Sequence, residues 1–238
     1  MESGWVAPVG PELERFETEI AHAAGRQHGV ALSSGTAALH LGLKALGVGQ
    51  GDEVVVPTLT LAATAFAVNH AGAQPVFVDS EEESWGLDPS RLGGLLTQRA
   101  RRGKLPAAVV PVDLFGRTCS CVEIADICGQ YEIPVLWDSA EALGGFFGDR
   151  PAGSFGAAAV FSFNGNKIIT TSGGGALVTN NAEIAQRVRH WSTQSREPAP
   201  WYEHHEIGYN YRMSNVLAAL GRAQLSQLPG IIERRLAI

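Results

Sequence analysis

The sequence predicts an α/β domain built around a mostly parallel β-sheet that is covered by helices on both faces. Short apolar runs alternate with stretches of helical composition, and the runs are apolar on both sides of the chain. Many of the 28 glycines stand at the ends of these runs. Strands buried on both faces have no polar side, and glycine allows the tight turns that join strand to helix. We therefore expect a three-layer architecture.

The order of elements along the chain supports this expectation. Strands are predicted at 54–57, 75–79, 107–112, 135–138, 157–163 and 176–179. Helices are predicted at 37–46, 61–70, 87–100, 120–131 and 182–191, and the last segment, LPGIIERRLAI, also has a helical pattern. In such a sheet, functional side chains gather in the loops at the carboxyl ends of the strands and at helix N-termini.

The charge balance excludes some classes of partner. The net charge of −6 leaves no basic stripe that could neutralise a phosphate backbone, so nucleic acid is not an expected partner. No apolar run reaches the length of about 20 residues that a membrane span needs. The first residues, MESGWVAPVG, lack the charged-then-apolar order of a signal peptide. A cytoplasmic location without membrane contact is the expectation.

The cysteines give little functional information. Cys119, Cys121 and Cys128 stand close together and are odd in number, which argues against the disulfide framework of a secreted protein. A zinc site would need a fourth ligand, and no histidine stands near them in the sequence. We expect thiols on a loop and the helix after it, and no metal.

The segment SSGTAALHL predicts a phosphate site. Ser33, Ser34, Gly35 and Thr36 directly precede or begin a predicted helix. Free backbone N–H groups and side-chain hydroxyls would therefore converge at the positive end of the helix dipole. An ordinary capped helix is the alternative interpretation of these residues taken alone.

The segment VLWDSAEALGG predicts a buried carboxylate. Asp138 ends a β-type run, where an ionised carboxylate needs a hydrogen-bonding or charged partner. The protonated pyridine nitrogen of pyridoxal 5'-phosphate (PLP) is one such partner, and the pair makes the ring an electron sink. Glu141 stands three residues later, and we expect it near the ring oxygen. The alternative is that Asp138 only caps a following helix.

The segment FSFNGNKIITTSGGGALV is the most specific of the three. Lys167 has no charged neighbour from 160 to 181 and stands between an apolar strand and a run of small residues. A buried lysine of this kind favours the neutral amine that forms a Schiff base with PLP. Ser162 can donate a hydroxyl to the same phosphate, and glycines 173–175 allow a tight turn. A structural lysine in a loop is the alternative.

Together these segments resemble the DegT/StrS family of PLP-dependent nucleotide-sugar aminotransferases. Further blocks, GDEVVVPTLT, PVFVD and GYNYRMSNVLAALGRAQL, look like that family's blocks in its order, from about Trp5 to the last residue. The resemblance implies that Lys167 is the catalytic residue and holds PLP covalently. It implies cofactor contacts for Gly35, Thr36, Leu61, Asp138, Glu141, Ser162 and Lys167, and for Asn210 of a second subunit. Leu61 stands where the family usually has an aromatic residue over the ring.

The resemblance also implies the fold and the activity. The fold is that of the large domain of type I PLP-dependent aminotransferases, here 1–238, with the start of a connection to a missing C-terminal small domain. The amino-acid sequences of these motifs are most similar to those of UDP-N-acetylbacillosamine-type transaminases. The implied reaction moves an amino group from glutamate to a UDP-4-keto-6-deoxy-hexose, in a homodimer with shared active sites, for surface polysaccharide or glycan synthesis.

Two alternatives stay open at this point. The chain could be a truncated, non-catalytic remnant that binds PLP or dimerises. It could also be a relative of the sugar dehydratases, which carry histidine where this chain has Lys167, so the lysine favours amino transfer. Arg212 lies within the GYNYR block and is expected to be a structural ion-pair residue.

Overall fold

The computed structural model describes residues 4–238, so the first three residues of the predicted domain 1–238 lie outside the described range. The strands, in chain order, are β1 (His28–Leu32), β2 (Glu53–Pro57), β3 (Gln74–Val78), β4 (Ala108–Val109), β5 (Leu136–Asp138), β6 (Phe146–Phe147), β7 (Arg150–Pro151), β8 (Ala158–Ser162) and β9 (Gly175–Thr179). The helices are α1 (Pro11–Ala23), α2 (Gly35–Ala45), α3 (Ala63–His70), α4 (Pro89–Arg101), α5 (Cys121–Gly129), α6 (Ala182–Ser192), α7 (Asn215–Leu225) and α8 (Leu228–Leu236).

The main sheet has the strand order β3-β2-β4-β5-β8-β9-β1. Ladders join β3, β2 and β4 on one side and β5, β8, β9 and β1 on the other. Single parallel bridges, Val109 to Val135 and Val112 to Asp138, connect the two parts. Strand β9 runs antiparallel to both of its neighbours, and the other ladders of this sheet are parallel. The prediction of a mostly parallel sheet is confirmed.

Apolar side chains from alternate strand positions fill both faces of the sheet. In β2, Val54 and Val56 pack in a cluster with residues of α2, α3 and α6. Val55, between them, packs on the opposite face with residues of α1, α4, α5 and α7. Because neighbouring residues of a strand point to opposite faces, a strand without a polar position is buried on both sides. The three-layer architecture is confirmed.

The element boundaries show what the sequence missed. Helices α1 and α7 and strand β1 were not predicted, although each is well packed: Phe16 of α1 is fully buried. The predicted strand 107–112 is shorter, with only Ala108–Val109 forming a ladder. Pro111 has no N–H to donate, so the ladder cannot continue regularly past it, although Asp138 N–H still bonds to its carbonyl oxygen.

The helices of the described part of the chain are short. The longest, α1 and α4, have 13 residues each. Within residues 4–238, no helix combines the length and the apolar composition that crossing a membrane requires.

Candidate active site

A cavity of about 550 Å³ opens at the carboxyl edge of the sheet. It lies where β5 and β8 end and where α2 begins, which is where ligands bind in sheets of this kind. Seven of the eight candidate residues line it: Gly35, Thr36, Leu61, Asp138, Glu141, Ser162 and Lys167. Segments far apart in the sequence therefore meet at one place.

One wall of the cavity is the N-terminus of α2. Ser34 caps the helix, and its Oγ accepts a hydrogen bond of 3.0 Å from the N–H of Ala37. Gly35 faces Ser162 so closely that an added Cβ would lie 3.0 Å from the Cβ of Ser162. A Cβ at Gly175 would collide with the backbone of Ser34. Ser34 therefore caps α2, and a phosphate site at the same helix N-terminus stays a prediction.

Lys167 forms the second wall together with Glu141. Its Nζ lies 2.9 Å from Oε1 of Glu141, and the lysine side chain is 6% exposed. Glu141 Oε2 also accepts a hydrogen bond from the N–H of Phe115. Burial acts to raise the pKa of Glu141, but the bond from Lys167 and the bond from Phe115 outweigh it, so this pKa is lowered. From 160 to 181 the sequence has no other charged residue, but the fold brings Glu141 to Lys167 from 26 residues away.

Asp138 lies at the floor of the cavity and is 4% exposed. Its Oδ2 accepts a bond of 2.8 Å from Thr64 Oγ1, and its Oδ1 accepts one of 3.2 Å from the N–H of Ala140. Burial raises its pKa to about 6, although both hydrogen bonds oppose the shift. In the described chain, the next regular element after Asp138 is the short strand β6, so the helix-cap alternative is wrong.

Some polar residues at the cavity or directly behind it were not predicted from the sequence. Thr60 and Asp113 line the cavity, and Thr64 lies directly behind Asp138. Asp113 is 1% exposed, and it accepts bonds from Ser139 Oγ, Trp137 Nε1 and the N–H of Cys119. Burial raises its pKa. The sequence does contain a signal for Asp113, because this residue directly follows the apolar run 107–112, much as Asp138 ends the next apolar run, 135–138.

The fold also brings Asp113 to the cysteines. One ligand atom each from Asp113, Cys119 and Cys121 lies within 4.8 Å of the others, and all three residues are buried. A hydrogen bond from Cys121 and burial raise the pKa of Cys119 well above its usual value. In the structure the Cys119 side chain is therefore a thiol packed beside Asp113.

Two candidate residues lie apart from the cavity floor. Leu61 is at the rim, and its side chain is 64% exposed. Asn210 does not line the cavity of its own chain and is exposed, with its backbone bridged to Thr193. Its contact with a cofactor in a second subunit stays a prediction.

The chain belongs to the DegT/DnrJ/EryC1/StrS aminotransferase family, whose model matches residues 1–238. It is 45% identical over 236 residues to EpsN of Bacillus subtilis (strain 168), a protein whose name places it among the pyridoxal phosphate-dependent aminotransferases. It is 40% identical over 228 residues to GDP-perosamine synthase of Caulobacter vibrioides. The structure of Spr1654 from Streptococcus pneumoniae in its PLP-form is 28% identical, with a TM-score of 0.89.

These matches cover nearly all of this chain but only part of each relative. They include 99% of this chain against 61% of EpsN, and 96% against 60% of GDP-perosamine synthase. For Spr1654 the shares are 98% and 63%. The chain thus spans about three-fifths of the length of the relatives that it matches.

Proposed function

We propose that this chain binds PLP in the cavity between α2, Asp138 and Lys167 and uses it to transfer an amino group to a keto-sugar carried on a nucleotide. The observation that carries the proposal is the meeting of a buried amine, a buried carboxylate without a cation and a helix N-terminus in one cavity. PLP needs one of each, for its aldehyde, its ring nitrogen and its phosphate.

The residues present fit that group. Gly35 leaves room for an anion beside Ser162, because any larger residue would bring a Cβ within 3.0 Å of the serine. The first amides of a helix have no partner within it, so those of Gly35 and Thr36 could bind an anion, and Thr36 and Ser162 add hydroxyls at the same cavity wall. These residues would hold the phosphate, and Leu61 at the rim would pack against the ring.

Asp138 would hold the ring nitrogen. When bound, PLP supplies an aldehyde that takes up the donor's amino group and a ring that acts as an electron sink. The carboxylate of Asp138 would keep the ring nitrogen protonated, since an ionised carboxylate in this buried position gains most from a cationic partner.

Lys167 would carry out the proton transfers. Its Nζ would first hold the cofactor and then, once free, accept and return the proton at the substrate carbon that gains or loses the amino group. Glu141, whose Oε1 lies 2.9 Å from Nζ, would orient it. Glu141 would also contact the ring oxygen once Lys167 is engaged.

The finer assignment is a 4-keto-6-deoxy-hexose linked to UDP, with glutamate as the amino donor. The support is the similarity of the motifs SFNGNK, PVDLFG and GYNYR to those of UDP-N-acetylbacillosamine-type transaminases. One relative is named GDP-perosamine synthase, so UDP is the part of the assignment that most needs testing. The shared active site of a homodimer, with Asn210 reaching the partner's phosphate, belongs to the same proposal.

The test of cofactor binding uses the fact that the chain has only the lysines Lys44, Lys104 and Lys167. Reduction of the PLP-treated chain with borohydride, followed by peptide mapping, should place a pyridoxyl group on Lys167. Lys167→Ala should lose both the label and the visible absorbance, whereas the exposed Lys104→Ala should keep both. A label spread over all three lysines, or retained in Lys167→Ala, contradicts the assignment.

Turnover is tested separately with glutamate and UDP- or GDP-linked 4-keto-6-deoxy-hexoses. Formation of the amino sugar from the UDP compound supports the finer assignment, and formation from the GDP compound alone overturns it. Site-specific labelling without turnover favours a PLP-binding chain that is not catalytic by itself. That second candidate is favoured by one observation: the seven cofactor residues lie within a chain that spans three-fifths of its relatives.

A further inference from the structure

Behind the cavity floor, hydroxyl groups form a chain that ends on Asp138. Thr64 Oγ1 donates a bond of 2.8 Å to Asp138 Oδ2. Thr60 Oγ1 lies 2.7 Å from Thr64 Oγ1, where either can donate. Thr60 Oγ1 also lies 3.2 Å from the carbonyl oxygen of Leu61. The chain therefore has an acceptor at each end and two hydroxyls between.

Thr60 is more exposed than the two residues behind it. Thr60 is half-buried and lines the cavity, whereas Thr64 is 1% exposed and Asp138 is 4% exposed. Thr64 stands in the first turn of α3, and its β-branched side chain has few rotamers to choose from. The loop before α3 thus connects the cavity wall to a side of the carboxylate that the cavity does not reach.

The donor–acceptor direction of the hydrogen bonds in this chain of hydroxyls can reverse. Each hydroxyl has one proton to donate and can accept in return. With Asp138 ionised, Thr64 donates to it and Thr60 donates to Thr64. With Asp138 protonated, the order can reverse: Asp138 donates to Thr64, Thr64 to Thr60, and Thr60 to the carbonyl of Leu61. No heavy atom has to move between the two arrangements.

We propose that Thr64 is a positioning residue for Asp138, and that Thr60 and Thr64 couple the protonation of this carboxylate to the cavity wall. The effect of this positioning on a cofactor rests on the proposed function, in which Asp138 would face the ring nitrogen of PLP. Thr64 holds Oδ2 and the Ala140 amide holds Oδ1, so the plane of the carboxylate is fixed before any ligand enters. A fixed acceptor loses less entropy when it binds.

The charged groups that act on Asp138 are few. Burial raises its pKa, the bond from Thr64 lowers it, Asp113 raises it from the loop after β4, and Lys167 lowers it from the loop after β8. Of these, only the Thr64 bond can be removed without changing a charge. Its removal should therefore raise the pKa of Asp138 further, because the ionised form loses a charge-assisted bond whereas the protonated form loses only a weaker neutral one.

The first experiment needs no cofactor. The carboxyl resonance of Asp138, assigned by its loss in Asp138→Asn, is titrated by ¹³C NMR in the chain without PLP. Thr64→Val should raise the midpoint by about one pH unit, the expected size for loss of one charge-assisted bond. Thr64→Ser should restore the original midpoint. Thr60→Val should raise it by less, because Thr64 still donates to Asp138.

Thr179→Val is the matched control. Thr179 is fully buried and donates a bond of 2.7 Å to the carbonyl of Ala157, at the opposite edge of the sheet. Its loss removes a buried threonine bond of similar length and should leave the Asp138 midpoint unchanged. If Thr64→Val does not fold, Thr60→Val carries the test. An unchanged midpoint in the folded variant, or an equal shift in Thr179→Val, overturns the proposal.

The second experiment uses the chain loaded with PLP. The pH midpoint of the visible absorbance should move in Thr64→Val, return in Thr64→Ser and stay in Thr179→Val. If the unmodified chain does not take up PLP at Lys167, the proposed function fails, and the NMR titration still decides the role of Thr64. If PLP binds, but neither the NMR midpoint of Asp138 nor the midpoint of the visible absorbance differs between Thr64→Val and the unmodified chain, this inference alone fails.

Discussion

Two buried carboxylates at different places in the molecule have different partners. Glu17, on α1, and Asp138, at the end of β5, are each 4% exposed. Glu17 accepts a bond of 2.7 Å from the N–H of Ala31, and it forms ion pairs with Arg189 and Arg212. Its charge is thus compensated by the chain itself, and the expectation that Arg212 is a structural ion-pair residue is confirmed.

Asp138 has neutral donors only. Thr64 and the Ala140 amide bond to it, and no Lys, Arg or His within residues 4–238 forms an ion pair with it. Lys167, whose charge acts to lower the pKa of Asp138, is paired with Glu141 instead. A buried carboxylate without a cation is costly to the folded state.

The difference separates a buried charge that the chain compensates from one that it does not. The Glu17 cluster joins α1, β1 and the segment before α7, and it fixes their packing. The Asp138 group holds a negative charge at the floor of an open cavity, where a cationic ligand could compensate it. Removal of the Glu17 charge should lower the free energy of unfolding, and removal of the Asp138 charge should raise it. These opposite effects test the distinction most directly.

The largest expected effect is the loss of stability in Glu17→Gln. The change leaves Arg212, whose side chain is 7% exposed, without its carboxylate. Breaking such a pair from one side costs about 3 kcal/mol or more in the free energy of unfolding. Urea denaturation measures this loss. Glu14→Gln, an exposed position on the same helix, is the control and should change stability by less than about 0.5 kcal/mol.

The next effect has the opposite sign. Asp138→Asn should raise the free energy of unfolding at pH 8 by about 2 kcal/mol, because it removes an uncompensated buried charge. The same variant should lose PLP affinity, measured by fluorescence or absorbance titration. A loss of stability as large as that of Glu17→Gln would mean that Asp138 is structural, and the comparison would fail.

The pH dependence gives a sharper form of this prediction. The pKa of Asp138 is raised from 3.8 to about 6 on folding, so the folded chain holds this proton more tightly than the unfolded chain. Its contribution to stability is present below the unfolded pKa and is lost as the pH rises through the folded pKa. The stability difference between Asp138→Asn and the unmodified chain should therefore grow from about pH 4 to about pH 6 and then level off.

The smallest effect is expected for Arg189→Met. The side chain of Arg189 is 44% exposed, compared with 7% for Arg212, although both pair with Glu17. Solvent screens the more exposed pair, so the loss should stay below about 1 kcal/mol. A loss equal to that of Glu17→Gln in the same urea titrations would show that Arg189, and not Arg212, compensates the buried carboxylate.

Much of the fold followed from local patterns. The runs 54–57, 135–138 and 176–179 became β2, β5 and β9 to within one residue at each end, because a strand buried on both faces must be apolar at every position. Helix α1 was missed, since its first-turn acids and its polar face weaken the apolar signal. The order of the strands was not predicted at all.

The candidate site shows the same division. The sequence by itself determined where the candidate groups stand: Lys167, Asp138 and the small residues before α2 lie at or after strand ends and at a helix start, and those positions are fixed by local conformation. Only the tertiary structure decided the partners of these groups. Lys167 meets Glu141, 26 residues away, Asp138 meets Thr64, 74 residues away, and Glu17 meets Arg212, 195 residues away. The physical reason is that capping and burial act over a few residues, whereas the partner of a buried charge depends on strand order and register across the whole sheet.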